Sequence, residues 1–459
     1  MAIDRVTSVD LHLDLDPSCS RREALARALR DAVRSGRLEP GVALPSYRAL
    51  ALDLGVARNT VAETYSTLVD EGWLTARQGS STRVAHRARP APVVSAAIAS
   101  QTPPLFDLRP GRPDPTSFPR SVWLASARRA INDAPSDAFG PGDPRGRIEL
   151  RTALSDYLAR TRGVRTDPQR IVVCSGFSQA IAMLSDLVPA GPVALESFGL
   201  PFHRDIVEKS RPTVALGVDD KGCVADDLGA TAASVAVLTP SHQFPTGAAL
   251  APERRTAAVR WARDVDGTVI EDDYDGEFRY DRSPIGAMQG LDPDRVMYVG
   301  SASKSLSPAV RIGWMVVPDR LLDAVVAAKG VRESTVATGD QLTLAEMMAS
   351  GRYDRHVRTM RMRYRARRDL LQKNMAGAGS GVGIRGIAAG LQAVVTLPPG
   401  CETEVVAEAA RVGLAIEGLS TFRHPAATDP AYDGLVVGFA APTENAYPAA
   451  LRALMSVLP

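Results

Sequence analysis

Lysine is scarce in this chain of 459 residues. Of 54 basic side chains only five are lysines: Lys209, Lys221, Lys304, Lys329 and Lys373. Cysteine is scarcer still. Cys19, Cys174, Cys223 and Cys401 lie far apart and form no C-x-x-C, which excludes a disulfide framework or a zinc ribbon and fits a reduced cytosol. No metal site is expected, and the localisation expected is cytoplasmic. No apolar run approaches the ~20 residues that span a bilayer, and the N-terminus lacks a signal-peptide core, so no membrane partner is expected. The net charge of +2 is too small to demand a polyanion by itself. Internal repeats of 20–50 residues and long low-complexity tracts are absent.

What remains is ordinary for a globular protein: 45% apolar and 23% charged residues, with length enough for two or three domains. A first region covers residues 1–86. Residues 87–104, RARPAPVVSAAIASQTPP, have the Pro, Ala and Ser content of a linker. Beyond it, β-branched runs at 171–176, 192–196, 213–218, 234–240, 267–273, 296–301 and 313–318 alternate with amphipathic stretches. That alternation predicts an α/β fold with a mostly parallel sheet covered by helices, over 105–330. Further strand-like runs at 391–397 and 434–440 predict a smaller α+β part over 331–459.

The first region carries an uneven charge. Residues 20–89 hold twelve arginines against seven acids, a balance that permits nucleic acid without requiring it. Apolar residues at helical spacing (Ala24, Leu25, Ala28, Leu29, Ala32, Val33) predict a helix over 20–35. Ser46 is placed to cap a second helix at 47–54. Gly55 supplies a tight turn, and a third helix runs from about 57 to 71. Two short helices around a glycine turn form a helix-turn-helix pattern. Strands at 73–77 and 82–85, joined by a hairpin at 78–81, add a wing. The third helix opens with Arg58, Asn59 and Thr60, long or polar side chains suited to base edges and phosphates of double-stranded DNA. Arg48 and Arg77 read as phosphate contacts, with Ser46, Ser80 and Thr82 beside them on the same surface.

The second region holds the chemistry. Lys304 lies in YVGSASKSLSPAVRIGW (298–314), behind an apolar run and ahead of Arg311. EDDYDGEF (271–278) precedes it. A lysine that forms an imine must be neutral, and burial among polar groups lowers its pKa. Ser301, Ser303 and Arg311 offer donors to a dianionic phosphate. Gly176, Phe177 and Ser178 open a helix directly behind the 171–176 run, where helix amides favour an anion. Asp272 ends a predicted buried strand, the place where α/β ligand sites gather.

These motifs resemble known families. Gly36-Arg37-Leu38-x-Pro40-Gly41, Leu44-Pro45-Ser46-x-Arg48-Ala49-Leu50-Ala51, Leu54-Gly55-Val56-x-Arg58-Asn59-Thr60-Val61 and Leu68-x-x-Glu71-Gly72-Trp73-Leu74 resemble the GntR-type winged helix of bacterial transcription regulators. Ser80-Ser81 stands where Gly-Ser-Gly is common. Phe139-Gly140-Pro141-Gly142-Asp143-Pro144-Arg145-Gly146, Ser175-Gly176-Phe177-Ser178-Gln179-Ala180, Thr239-Pro240-Ser241-His242-Gln243-Phe244-Pro245-Thr246-Gly247, the 271–280 acidic run and Ser301-x-Ser303-Lys304 through Gly313 resemble fold type I aminotransferases. Together the two halves resemble the MocR subfamily of regulators, possible vitamin B6-synthesis regulators of PdxR type included. The resemblance implies pyridoxal 5'-phosphate as cofactor. It makes Lys304 the imine lysine, pairs Asp272 with the pyridine nitrogen and Tyr274 with the phenolic oxygen, and gives the phosphate to Arg311, Ser301, Phe177 and Ser178. His242 and Gln243 are expected near the ring edge or an amino ligand.

Departures from the family pattern matter as much. Leu200, in Glu196-Ser197-Phe198-Gly199-Leu200-Pro201-Phe202, stands where the family has a ring-stacking tyrosine, with Phe198 or Phe202 as the rings that could compensate. Phe202 and Val436 stand where amino-acid-binding relatives carry arginines, with Arg204 and Arg423 as nearby substitutes. Losing a charged hydrogen bond to a carboxylate costs about 1.5–3 kcal/mol. The resemblance therefore implies a homodimeric, head-to-tail DNA-binding regulator that senses pyridoxal phosphate itself, with no catalytic residue assigned. A regulator sensing an amine through an imine, or a working aminotransferase with a DNA-binding appendage, are the alternatives.

Overall fold

The structure, a computed structural model, describes residues 11, 13–16, 19–77, 80–86, 104–187, 191–280, 285–330, 336–377 and 379–459. The chain divides into two compact units, Met1–Thr102 and Pro103–Pro459. The expected linker lies, apart from its last residue, outside the described residues.

The first unit starts with α1 (Arg21–Arg34), whose N-terminus is capped by Ser20 Oγ accepting from the Glu23 amide. Next come α2 (Tyr47–Leu54), capped by Ser46 accepting from Ala49, and α3 (Arg58–Asp70). Gly55 closes α2 in a left-handed conformation, φ 62°. The core is what the helical spacing demands: Leu25 and Leu29 of α1, Leu50 of α2, and Val61, Tyr65 and Leu68 of α3 meet Leu74 and Val84 of the wing. Each such side chain contributes roughly 1.5–3 kcal/mol by leaving water. Arg30 grips Glu71 at 2.6 Å and ties α1 to the end of α3. The wing strands Leu74–Thr75 and Arg83–Val84 pair antiparallel. Gln78 and Gly79, in the expected hairpin, fall outside the described residues.

The second unit is built on a seven-stranded sheet. Its spatial order is Ile171–Cys174, Gly313–Val316, Val296–Ser301, Thr268–Asp272, Val235–Leu238, Val193–Glu196, Thr213–Leu216. Gly313–Val316 runs antiparallel to both neighbours, and every other pairing is parallel. Both faces are covered. Ile171, Val173, Trp314 and Val316 pack into one apolar layer, while Val172, Cys174, Met315 and Val317 pack into another. This two-sided burial explains the continuous apolar runs in place of strict alternation. The run at 213–218 is a departure: the sheet strand stops at Leu216, and Val218–Asp219 joins a separate hairpin with Gly222–Cys223. Gly217 between them has no side chain to pack, which weakens a strand interior.

The C-terminal part holds an antiparallel sheet in the order Gly383–Arg385, Ala393–Thr396, Gly434–Val437, Glu417–Gly418. The helices Arg352–Met375, Glu402–Arg411 and Tyr447–Val457 share its core. Phe106–Asp107 pairs in parallel with Leu414–Ala415. The Gly438 amide then donates to Leu108 O at 2.6 Å, and the Asp114 amide to Ala440 O at 2.9 Å. The segment that opens the second unit therefore runs with its last quarter.

Candidate functional site

A cavity of about 770 Å³ opens at the carboxyl ends of the parallel strands, the position favoured for ligands in such sheets. Gly176, Phe177 and Ser178 reach it from one βα junction and Asp272 and Tyr274 from another. Ser301, Ser303, Lys304 and Arg311 reach it from the loop between two central strands.

The Lys304 amine donates to the Gly111 carbonyl at 2.6 Å. Burial pulls its pKa below the usual ammonium range, against the attraction of Asp275 and Asp272. Asp272 ends its strand almost fully buried, and among the described residues no hydrogen-bond donor meets its carboxylate. Burial raises its pKa well above the usual range, Asp273 adds to this, and the Lys304 charge opposes it. Asp273 has the opposite fate. Burial would raise it, but Arg162, at 2.7 Å and 3.0 Å, and the Tyr298 hydroxyl, at 2.7 Å, hold it below the usual range.

Tyr274 is held from behind. Its hydroxyl accepts from Gln392 Nε2 at 2.8 Å and meets His242 Nδ1 at 3.0 Å, and that ring nitrogen also meets Asp275 at 2.8 Å. Burial, then Asp275, push the phenol pKa well up. His242 thus stands behind Tyr274 and does not line the cavity. Gln243 does not line it either. Its amide donates to Phe198 O at 2.9 Å and Phe244 O at 2.7 Å, and its oxygen accepts from the Thr246 amide and hydroxyl. The pair is expected at the ring edge or an amino ligand; here His242 contacts Tyr274 and Gln243 braces a turn.

The helix Phe177–Leu187 points its N-terminus at the cavity. Gly313 lies so close to it that a Cβ there would stand 2.7 Å from Gly176 Cα. That contact brings the helix amides against the strand that follows Arg311. Arg311 is exposed and makes no hydrogen bond or ion pair among the described residues. Free amides, hydroxyls and an unpaired guanidinium on one wall make an anion site. Leu200 lines the cavity as well, with its other side packed among Phe198, Phe244 and Phe422.

On the first unit Arg48, Arg58, Asn59, Arg77 and Ser80 are exposed and Thr60 is half-buried. Ser46 is exposed but spends its hydroxyl on the α2 cap. Thr82, expected on the DNA-facing surface, is 9% exposed. Its strand neighbour Arg83 faces out and donates to Gly41 O at 2.8 Å. Alternation along a strand makes the two face opposite ways.

Residues 21–84 match the bacterial regulatory proteins of the gntR family, and residues 114–422 match aminotransferase class I and II. The HTH-type transcriptional regulator YdeL of Bacillus subtilis is 31% identical over 94% of this chain and 97% of its own length. The HTH-type pyridoxine biosynthesis transcriptional regulator PdxR of Corynebacterium glutamicum is 32% identical over 95% of this chain and 96% of its own. The chain belongs to the MocR/PdxR-type transcription regulators. The second unit has the fold of the kynurenine aminotransferase of Pyrococcus horikoshii, with a TM-score of 0.70 and 24% identity over 78% of this chain and 91% of that one.

In this MocR/PdxR-type chain the cavity also has walls that the motifs did not announce. Glu196 is buried and accepts from the Thr239 amide and hydroxyl and from Gln243, and burial pushes its pKa up to about 7. His203 meets Ser178 Oγ at 3.3 Å. Burial, then the Lys304 charge, lower its pKa to about 3, so its ring is neutral. Glu417, Arg109 and Arg112 complete the rim. Apart from Glu196, which opens the stretch that carries Leu200, none of these belongs to a motif. The one available signal is that Phe202, His203 and Arg204 sit one turn beyond the end of a buried strand.

Proposed function

We propose that the chain is a pyridoxal-phosphate-dependent DNA-binding regulator that senses pyridoxal phosphate itself and controls genes of vitamin B6 metabolism, without productive transamination. The observation that carries this reading is the shared cavity of Lys304, Asp272 and Arg311, in which the buried Asp272 carboxylate and the Arg311 guanidinium have no protein partner among the described residues. These groups fit the cofactor. A carboxylate without a donor suits a protonated ring nitrogen, and an unpaired guanidinium beside helix amides suits a phosphate.

Lys304 would hold the aldehyde carbon, Asp272 the ring nitrogen, Tyr274 the phenolic oxygen, and Gly176, Phe177, Ser178, Ser301, Ser303 and Arg311 the phosphate. Bound there, the cofactor supplies an electrophilic aldehyde on an electron-withdrawing ring. Burial of Lys304 favours its neutral, nucleophilic amine. Asp272 would hold a proton on the ring nitrogen. Tyr274, fixed by His242 and Gln392, would keep its own proton and donate it as a hydrogen bond.

The loss of arginine at 202 and 436, the two places where amino-acid-binding relatives carry it, supports the cofactor as signal. Val436 is fully buried, and its cross-strand partner is Glu417, a carboxylate on the cavity wall. Arg423 is turned away: it donates to Ala427 O at 3.3 Å, pairs with Asp429 and lies over the Phe198 ring. Arg204 reaches the cavity, with Nη1 on Arg423 O at 3.4 Å. An α-amino acid's carboxylate would thus meet Glu417 where relatives offer arginine.

Arg58 and Asn59 would read base edges in a major groove, while Arg48, Arg77 and Ser80 hold phosphates. Two copies arranged head to tail would carry two winged helices to repeated half-sites. Cofactor binding can shift that arrangement only through different affinity for its states. The test is a mobility shift on the gene's own upstream DNA with and without pyridoxal phosphate. An affinity that ignores the cofactor overturns the sensing role. A second reading, an amine effector, is favoured by Glu417, which makes no side-chain hydrogen bond or ion pair among the described residues. A spectral change on adding amines to the loaded protein, with DNA affinity changing in step, would select it. Multiple turnovers with an amino donor and an oxo-acid would select an enzyme.

A further inference from the structure

The cofactor site has an unfilled role. The family pattern puts an aromatic ring at the position of Leu200, and Leu200 has no ring. Leu200 instead packs into the apolar cluster of Phe198, Phe244, Phe422 and Val436. The other rings nearby are committed elsewhere. Phe198 is 2% exposed, with the Arg423 guanidinium 5.6 Å from its centroid and Tyr432 at 6.3 Å. Phe244 stands edge-on to Tyr274 at 6.0 Å and to Phe422 at 5.3 Å. Phe202 is half exposed and meets His203 in a T-shape at 4.2 Å, so it supports that ring from the side.

His203 is differently placed. It sits in the first turn of the helix Pro201–Glu208, its amide bonded to Leu200 O at 3.0 Å. Phe177 braces it at 4.7 Å in a tilted contact, in addition to the support from Phe202. Its Nε2 meets the Ser178 hydroxyl at 3.3 Å, on the anion wall. Burial chiefly disfavours a charge on the ring. The imidazole therefore lines the same cavity as the amine, beside the anion wall, where it can flank the body of the cofactor.

We propose that the His203 imidazole is the ring on which the cofactor's pyridine rests, and that its edge holds Ser178 toward the phosphate. This rests on the reading of the cavity as a pyridoxal phosphate site. A neutral imidazole offers an electron-rich face to an electron-poor protonated pyridine, the favourable sense for offset stacking. Because it stays uncharged, it adds no repulsion against the ring proton held by Asp272. His203 is a positioning residue in this role and exchanges no proton with a ligand.

The test compares wild type with His203→Ala and His203→Phe, using equilibrium dialysis of pyridoxal phosphate and visible-range circular dichroism. Dichroism of the cofactor band reports how the ring is held, apart from whether it is captured. His203→Ala should weaken binding roughly tenfold and flatten the dichroic band, while saturating cofactor still gives visible absorbance through Lys304. His203→Phe should recover the band and most of the affinity. If Ala behaves as wild type, or if Phe is as weak as Ala, the stacking assignment is overturned. Failure of the wild-type protein itself to take up pyridoxal phosphate sinks the cavity reading and this assignment with it; a loading wild type with an indifferent His203→Ala sinks the stack alone.

Discussion

The Lys304 amine is 2.6 Å from the carbonyl oxygen of Gly111. That bond ties the loop of the central sheet to the segment paired with Leu414–Ala415. Gly111 has φ +71°, and a Cβ there would stand 3.2 Å from the amine nitrogen. Gly111→Ala should therefore cost about 1 kcal/mol of stability and lower cofactor uptake by displacing the amine. Thermal melts and dialysis check both. Lys304→Ala should abolish visible absorbance of the cofactor-treated protein with unchanged far-ultraviolet dichroism. A persisting band would refute the assignment.

Glu196 gives a pH dependence. Its folded pKa is raised to about 7 by burial, while the unfolded carboxyl titrates near 4.3. Between those values the folded state holds the extra proton, so this group's contribution is complete below the unfolded value and is lost as pH rises through the folded one. Glu196→Gln keeps the acceptor for Thr239 and removes the titration. The melting temperature of the variant relative to wild type should therefore climb from pH 4.5 to 8, by an amount equivalent to about 3 kcal/mol. A gap that is flat across that range contradicts the neutral carboxyl.

The pair Arg162–Asp273 is buried on both sides. Asp273→Ala would leave the guanidinium with Ser241 Oγ and carbonyl partners but no counter-charge. A loss of roughly 3–5 kcal/mol is expected, measured by urea denaturation.

Arg58→Ala should cost about 1–3 kcal/mol of operator affinity and relax sequence preference. Arg48→Ala should weaken binding evenly across sequences and reduce the salt slope by about one. Titrations at several salt concentrations separate the two. Ser46→Ala should act through the α2 cap, costing about 1 kcal/mol of stability, seen in the melt of the first unit.

Local chemistry was legible in the sequence. Ser46 and Gly55 bound α2 because capping and left-handed turns depend on a few neighbouring residues. The runs ending at Cys174, Glu196 and Asp272 are sheet strands because two-sided burial demands consecutive apolar residues. Single-residue register was harder to read. Thr82 and Arg83 differ by one position and face opposite ways. Partnerships across the chain left no local mark: nothing near Phe106 announces Leu414, and nothing near His242 says that it serves Tyr274. His203 was passed over because a lone histidine carries meaning only through what surrounds it, here Ser178 and two phenylalanine rings.

The reversed strand Gly313–Val316 has a consequence for inheritance of the site. Since the polypeptide turns back beside the strand it has just left, Lys304 and Arg311, the proposed nucleophile and cationic anchor, hang from a single hairpin. If the proposed site holds its ligand there, one lesion in that bend would disarm both ends of the grip together, and a descendant could shed the ligand in a single step and keep its sheet.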